Sequence, residues 1–302
     1  MNSIGLLLAR SGVITWSLIS PTITHAHLSD GNITDKTFFF HFDPLTVMLL
    51  LLFGFFYFRG SRQLRQRDTL EPLQLQHRIM FFWIGWTTLV VALVSPVDTL
   101  GEVLFSAHMI QHELLMLIAA PLLILARPGS AIVLGAKYLF IPLIRSVSGN
   151  SNSIAAKSRK LLSPLPAWTL HFIGLWAWHI PALFNAGLSS NLMHTTQHIS
   201  FMCIALVFWY SILRSDKHNS MTAVISLFTT AIHASVLGAL LTFSPVIWYA
   251  PYTTTTQAWG LTPLEDQQLG GLIMWMPAGI AFIVAALIIL AKVLQERTGE
   301  VS

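Results

Sequence analysis

The chain has 302 residues, of which 54% are hydrophobic and only 10% charged, and its mean hydropathy is +0.65. An average soluble domain is about a quarter charged, so this composition specifies an integral membrane protein. A formal net charge of +4, carried in short stretches between apolar runs, excludes a nucleic-acid-binding surface, and a single cysteine, Cys203, excludes an intramolecular disulfide or a CxxC motif.

In chain order, residues 1–26 contain Arg10, a weakly apolar stretch and Thr24-His25-Ala26. The small residues suit a signal-peptidase site, so 1–26 reads as a signal peptide, with an uncleaved anchor helix as the alternative. Residues 27–302 then form one membrane domain, and cleavage would leave His27 as its first residue. Apolar runs of spanning length, about 17–25 residues, lie near 43–58, 79–95, 103–126, 164–184, 193–213, 221–242 and 267–291. The expected fold is therefore all-α, a polytopic bundle of seven transmembrane helices in the lipid bilayer.

Arg59, Arg62, Arg65 and Arg67 between the first two runs place that loop in the cytoplasm. Strict alternation then puts the basic loops at 127–160 and 214–217 and the tail with Lys292 and Arg297 on the same side, leaving Lys36 alone outside. The expected topology has the mature N-terminus outside and the C-terminus cytoplasmic, in a bacterial inner membrane. The segment 130–144 is short, carries Lys137 and Pro142, and reads as interfacial. Helix starts are signalled at Ser95-Pro96, at Ser163-Pro164 and at Thr262-Pro263-Leu264-Glu265, the last a capping box. Trp248, Tyr249, Tyr252 and Trp259 suit an interfacial aromatic belt.

Two apolar runs carry one pattern, His-x-x-Gln-His-x-x-x-Met, at His108–Met116 and at His194–Met202. Residues at i, i+4 and i+8 of a helix share a face, so each copy presents two imidazoles and a thioether in a stripe. Both runs cross from outside to inside, which sets the stripes at similar depth. His179, at the end of the fourth run, and His233, midway along the sixth, reach the same half of the bilayer; His171 lies deeper. Intramembrane ionisable groups are costly and mark sites, and imidazole with thioether is a donor set suited to copper. The candidate metal ligands are His108, His112, His179, His194, His198 and His233. Met109, Met116, Met193 and Met202 would support copper, but methionine is an ordinary gap filler and core packing is the favoured reading for each. Gln111 and Gln197 could orient imidazoles or bridge helices, and Asp98, Glu113 and Asp266 could draw a cation to the outer mouth or act as caps. His112-Glu113 is not a zinc-protease motif, because the second histidine position is Met116.

His108-Met-Ile-Gln-His112 with Met116 and Ala120-Pro121-Leu122-Leu123, the Trp178-His179-Ile-Pro181 turn, the His194–His198 ladder and the stretch Leu264–Trp275 together resemble the multi-spanning CtaG-type cytochrome c oxidase assembly factors. The likeness runs from about Phe40 onward. It implies a bacterial inner-membrane protein needed to make active haem-copper oxidase and serving cytochrome c oxidase subunits; with the histidines above, the expected role is that of an assembly factor, not an enzyme, that binds copper transiently. A haem-binding redox protein, a copper-ion transporter and a scaffold for an oxidase subunit are the other readings the residues allow.

Overall fold

The computed structural model describes residues 43–67, 71–137, 162–214 and 219–299. The segment 1–26, His27, Lys36, the loop residues 138–161 and His218 fall outside them. Among the described residues every regular element is helical. The chain forms α1 (Pro44–Gln66), α2 (Pro72–Val94), the short α3 (Pro96–Val103), α4 (Phe105–Ala126), α5 (Gly129–Gly135), α6 (Pro164–His179), α7 (Pro181–Ser189), α8 (Asn191–Leu213), α9 (Ser220–Thr242) and α10 (Pro263–Gly299). Two 3₁₀ turns, Ala250–Thr254 and Thr256–Trp259, join α9 to α10.

Six of these helices are long and apolar enough to cross a bilayer: α1, α2, α4, α8, α9 and α10. The seventh expected span, 164–184, is divided. α6 has 16 residues and ends at Ile180, whose extended backbone (ψ 127°) is what the residue before a proline adopts. The expected starts at Ser95 and Thr262 carry their caps. Ser95 Oγ accepts the Val97 N–H at 3.1 Å. Glu265 accepts from the Thr262 N–H at 2.8 Å and returns its own N–H to Thr262 Oγ1 at 3.3 Å, a complete capping box.

Large apolar side chains cover the outward faces, among them Leu45, Leu49, Leu51 and Phe55 on α1 and Ile280, Leu287 and Ile288 on α10, as a lipid environment requires. Cys203 also points outward on α8 and takes no part in the core. Between helices, small residues set the approach. α9 and α10 form the most extensive pair, with Gly238 against Trp275 and Gly271 against the Thr242 backbone. α5, the described part of the expected interfacial segment, lies along α1, where a Cβ on Gly60 would run into the Ala131 carbonyl and one on Gly135 into the Phe56 carbonyl.

α4 contains a π turn, Leu114–Ala119, and the sequence explains it. Pro121 cannot donate a hydrogen bond and its ring crowds the carbonyl four residues back, so the helix widens ahead of it. The Ala120 N–H then reaches back five residues to the Leu115 carbonyl. In that register the next acceptor is the Met116 carbonyl and the next donor would be Pro121, which has none. Trp209 on α8 fills the gap, its indole N–H donating to the Met116 carbonyl at 2.9 Å. That bond fixes α8 against α4 below the histidine ladders.

Gly60→Val and Gly135→Val should each destabilise the protein by about 1–3 kcal/mol through overpacking, seen as a lower melting temperature in detergent. Gly129→Ala, where a Cβ meets nothing within 4 Å, should leave it unchanged.

Candidate metal centre

The site is built on a broken helix. α3 stops at Val103, Leu104 is extended (φ −130°, ψ 123°), and α4 restarts at Phe105. Leu104 has no polar side chain to cap the new helix, so its first N–H groups need partners from elsewhere. Asp266, in the first turn of α10, supplies them. Its fully buried carboxylate accepts from the Phe105 N–H at 2.6 Å, the Ser106 N–H at 3.1 Å and the Ser106 hydroxyl at 2.5 Å. A negative group at a helix N-terminus also opposes the positive end of the helix dipole. Asp266 therefore holds the start of α4 and is not at a solvent-facing mouth, a correction to the cation-attracting role considered from sequence.

The carbonyls freed at the same break are taken by the α9–α10 loop. Tyr252 donates to the Gly101 carbonyl at 2.8 Å and Thr255 to the Val103 carbonyl at 2.7 Å, while Tyr249 donates to the His179 carbonyl, at the end of α6, at 3.0 Å. Burial pushes both phenols well above the ordinary tyrosine range, so both remain proton donors at physiological pH. Tyr249 stacks on Phe105 (ring centres 4.8 Å apart) and packs against Phe184 (4.1 Å). These two tyrosines are thus a buried lid on the site rather than members of an aromatic belt; Trp248 and Trp259 remain half-buried.

Beneath this lid the two ladders meet. His108 and His112 on α4 have ring centres 4.3 Å apart, and His194 and His198 on α8 are 4.2 Å apart. Across the helices His108 lies 5.6 Å from His194 and 6.1 Å from His198, and His112 lies 5.6 Å from His198. Ligand atoms of His108, His112 and His198 all fall within 4.8 Å of one another. A second group, Asp98, His194 and His198, meets the same limit and shares His198 with the first. The first group is buried, and Asp98 and His194 of the second are half-buried. Both ring nitrogens of His108 and His112, and Nε2 of His194 and His198, are buried without a hydrogen-bond partner. Phe184 against His108 (5.0 Å) and Phe201 against His112 (4.6 Å) wall the cluster with hydrocarbon.

Gln111 bridges helices. Pro96 removes the donor that would have met the Ala92 carbonyl, and Gln111 Nε2 occupies that carbonyl at 2.8 Å while also reaching Asp98 Oδ1 at 2.6 Å. Asp98 is thereby aimed toward His194 and His198. Gln197 is buried against Gly187 of α7 with both amide atoms unpartnered.

His179 flanks the cluster, sharing Phe184 and Phe201 as ring neighbours. Its Nδ1 lies 2.7 Å from the Leu175 carbonyl. A carbonyl only accepts, so Nδ1 carries the proton and the lone pair is on Nε2, which is buried and unpartnered. His233 does not join this group. It pairs with His171, ring centres 6.0 Å apart, among Trp168 and Phe172, because its face of α9 turns toward the middle of α6. Glu113 is half-buried with one carboxylate oxygen unpartnered. Met109 and Met116 lie in the hydrophobic core, Met109 against Gly270 of α10, and Met202 packs at its margin.

The sequence profile of the cytochrome c oxidase caa3 assembly factor family (Caa3_CtaG) matches residues 55–296, from α1 into α10, and so takes in every candidate ligand. The chain belongs to that family. Similar to this Caa3_CtaG chain are an uncharacterized protein of Mycobacterium leprae (strain TN), 23% identical over 83% of the chain and 39% of the relative, and uncharacterized proteins of Mycobacterium bovis and Mycobacterium tuberculosis, both 24% identical over 78% of the chain. The chain thus spans about two fifths of the length of the curated relatives it matches. No solved structure matches it.

Removing the Asp266 carboxylate leaves the Phe105 and Ser106 donors buried and unmet. Asp266→Ala should cost about 2–4 kcal/mol in thermal unfolding, and Asp266→Asn, which keeps one acceptor oxygen, should cost less.

Proposed function

We propose that this Caa3_CtaG protein is a non-enzymatic assembly factor that holds copper transiently and delivers it to a subunit of haem-copper cytochrome c oxidase. The carrying observation is the convergence of unpartnered imidazole nitrogens from α4 and α8 between the Phe184 and Phe201 rings. Each buried polar atom left unmet costs about 1–3 kcal/mol, and a fold has no packing reason to gather so many. A soft cation answers all of them at once. Neutral imidazole is its natural ligand, and the hydrocarbon walls favour the lower charge of the reduced ion.

The two ligand groups suit cargo better than a resident cofactor. Asp98 and His194 lie nearer the surface and would receive the ion together with His198. His108 and His112 would then take it inward, His198 remaining bound throughout. Sharing one ligand lets the ion move without being released, and the Asp98 carboxylate adds an opposite charge only in the receiving group. The Gln111 bridge keeps Asp98 in place. His179, with its lone pair fixed on Nε2, would complete the inner group.

The family supports the oxidase as client, and the basic loops support a multi-pass protein of the bacterial inner membrane with the histidine end facing outward. Partner subunits would therefore dock at the end of the bundle where α4 and α8 begin.

After loading with copper, purified protein should carry about one copper more than a His108→Ala, His112→Ala variant by elemental analysis, with the variant still helical and monodisperse. Equal copper in both, or none in either after loading, would overturn the ligand assignment. His194→Ala should slow loading in stopped-flow chelator competition while leaving the final copper content within about twofold. In cells, loss of the inner pair should deplete copper from the oxidase and leave its haem content less affected.

A further inference from the structure

His171 and His233 form a second cluster that the centre above does not use. Their ring centres are 6.0 Å apart, each is almost wholly buried, and Nδ1 of His171 and both ring nitrogens of His233 lack hydrogen-bond partners. The pair is enclosed by Trp168 and Phe172 on α6, Phe208 on α8 and Phe282 on α10. His171 and His179 lie eight residues apart on α6, about 12 Å along the axis, so the pair is deeper in the bundle than the end of α6 that flanks the first centre.

We propose that His171 and His233 constitute a second, two-coordinate site for a monovalent soft cation, copper(I) being the cargo it would take. Two imidazole nitrogens bound at about 2 Å on opposite sides of one ion place their ring centres roughly 6 Å apart, which is the separation observed. Two neutral ligands leave the bound ion with its single positive charge. The cost of burying charge rises steeply with its magnitude, so this aromatic enclosure discriminates against divalent ions, which also demand more ligands than it offers. The aromatic faces around the pair add attraction for a cation without adding a hydrogen bond that would compete for the imidazoles. Packed phenyl and indole rings leave no room for a porphyrin between the two histidines. Binding stands on this geometry alone, whereas a role as a second station for copper, reached past His179, rests on the copper reading of the first centre.

The test is anaerobic copper(I) titration of the full chain in lipid nanodiscs against a chromophoric chelator. In a background with His108, His112, His194 and His198 all replaced by alanine, the protein should still bind one copper(I) that is lost, with affinity falling at least tenfold, on His171→Gln or His233→Gln. Unchanged binding in both glutamine variants would overturn the proposal, as would a Soret band in the purified protein. Because buried substitutions can prevent folding, the unsubstituted protein supplies the second measurement. Silver(I), closed-shell and of the same charge, should shift the ring ¹⁵N resonances of both His171 and His233, and no shift at either would overturn the site. Shifts at this pair with none at His108, His112 and His198 would sustain the deep site and sink the first centre; the converse would do the opposite.

Discussion

Inside a bilayer no backbone donor or acceptor can turn to water, and much of this structure follows from how that constraint is met where helices break. Leu104, Pro96, Pro121 and Ile180-Pro181 each interrupt a helix within or beside an apolar run. Every interruption frees backbone groups, and each set is answered by a side chain from another part of the chain: Asp266 at Phe105 and Ser106, Gln111 at Ala92, Trp209 at Met116, Tyr249 at His179 and Tyr252 at Gly101. These bonds pin α3, α4, α6, α8 and α10 to one another around the histidines. A backbone necessity thus becomes the frame of the site.

The frame leaves the imidazoles themselves unspoken for. The protein satisfies the peptide groups about the centre with care and then gathers His108, His112, His194 and His198 with nitrogens that meet no protein partner. His179 shows the contrast, since its Nδ1 is fixed by the Leu175 carbonyl and only Nε2 remains. Rigid backbone with free lone pairs is the arrangement a ligand set needs, because the geometry is held by bonds the cargo does not have to break. In the middle of the bundle aromatic rings pack against His171 and His233, and Nδ1 of His171 and both nitrogens of His233 are likewise unmet.

Much of this could be read from sequence, for reasons that also explain the rest. Apolar runs and basic loops are local, so the helical bundle was legible, and so was the i, i+4 spacing that puts His108 beside His112 and His194 beside His198. Which histidines meet across helices was legible for the ladders but not for His233. His233 was grouped with the ladders by depth, whereas its face of α9 meets His171 on α6. Asp266 was read as a cation-attracting or capping residue, and the helix it caps could not be named because its partners are 160 and 161 residues away in the chain. Its role had a faint signal in Leu104, a helix start with no capping side chain. Tyr249 and Tyr252 resembled belt residues because any aromatic loop does; two hydroxyls facing a broken helix were the distinguishing feature. The π turn had its signal in Pro121, and the Gln111 bridge had one in Pro96.

The dependence of α4 on Asp266 also orders events during synthesis. α4 and α8 enter the membrane well before α10, so through most of insertion the ladders face one another on a helix whose first peptide groups are unmet. The start of α4 is settled only when the last described helix arrives and brings its carboxylate to Phe105 and Ser106. A chain stalled before residue 266 would hold both histidine ladders and still lack the anchor that sets their spacing. The setting of the histidine ladders is thus coupled to completion of the bundle.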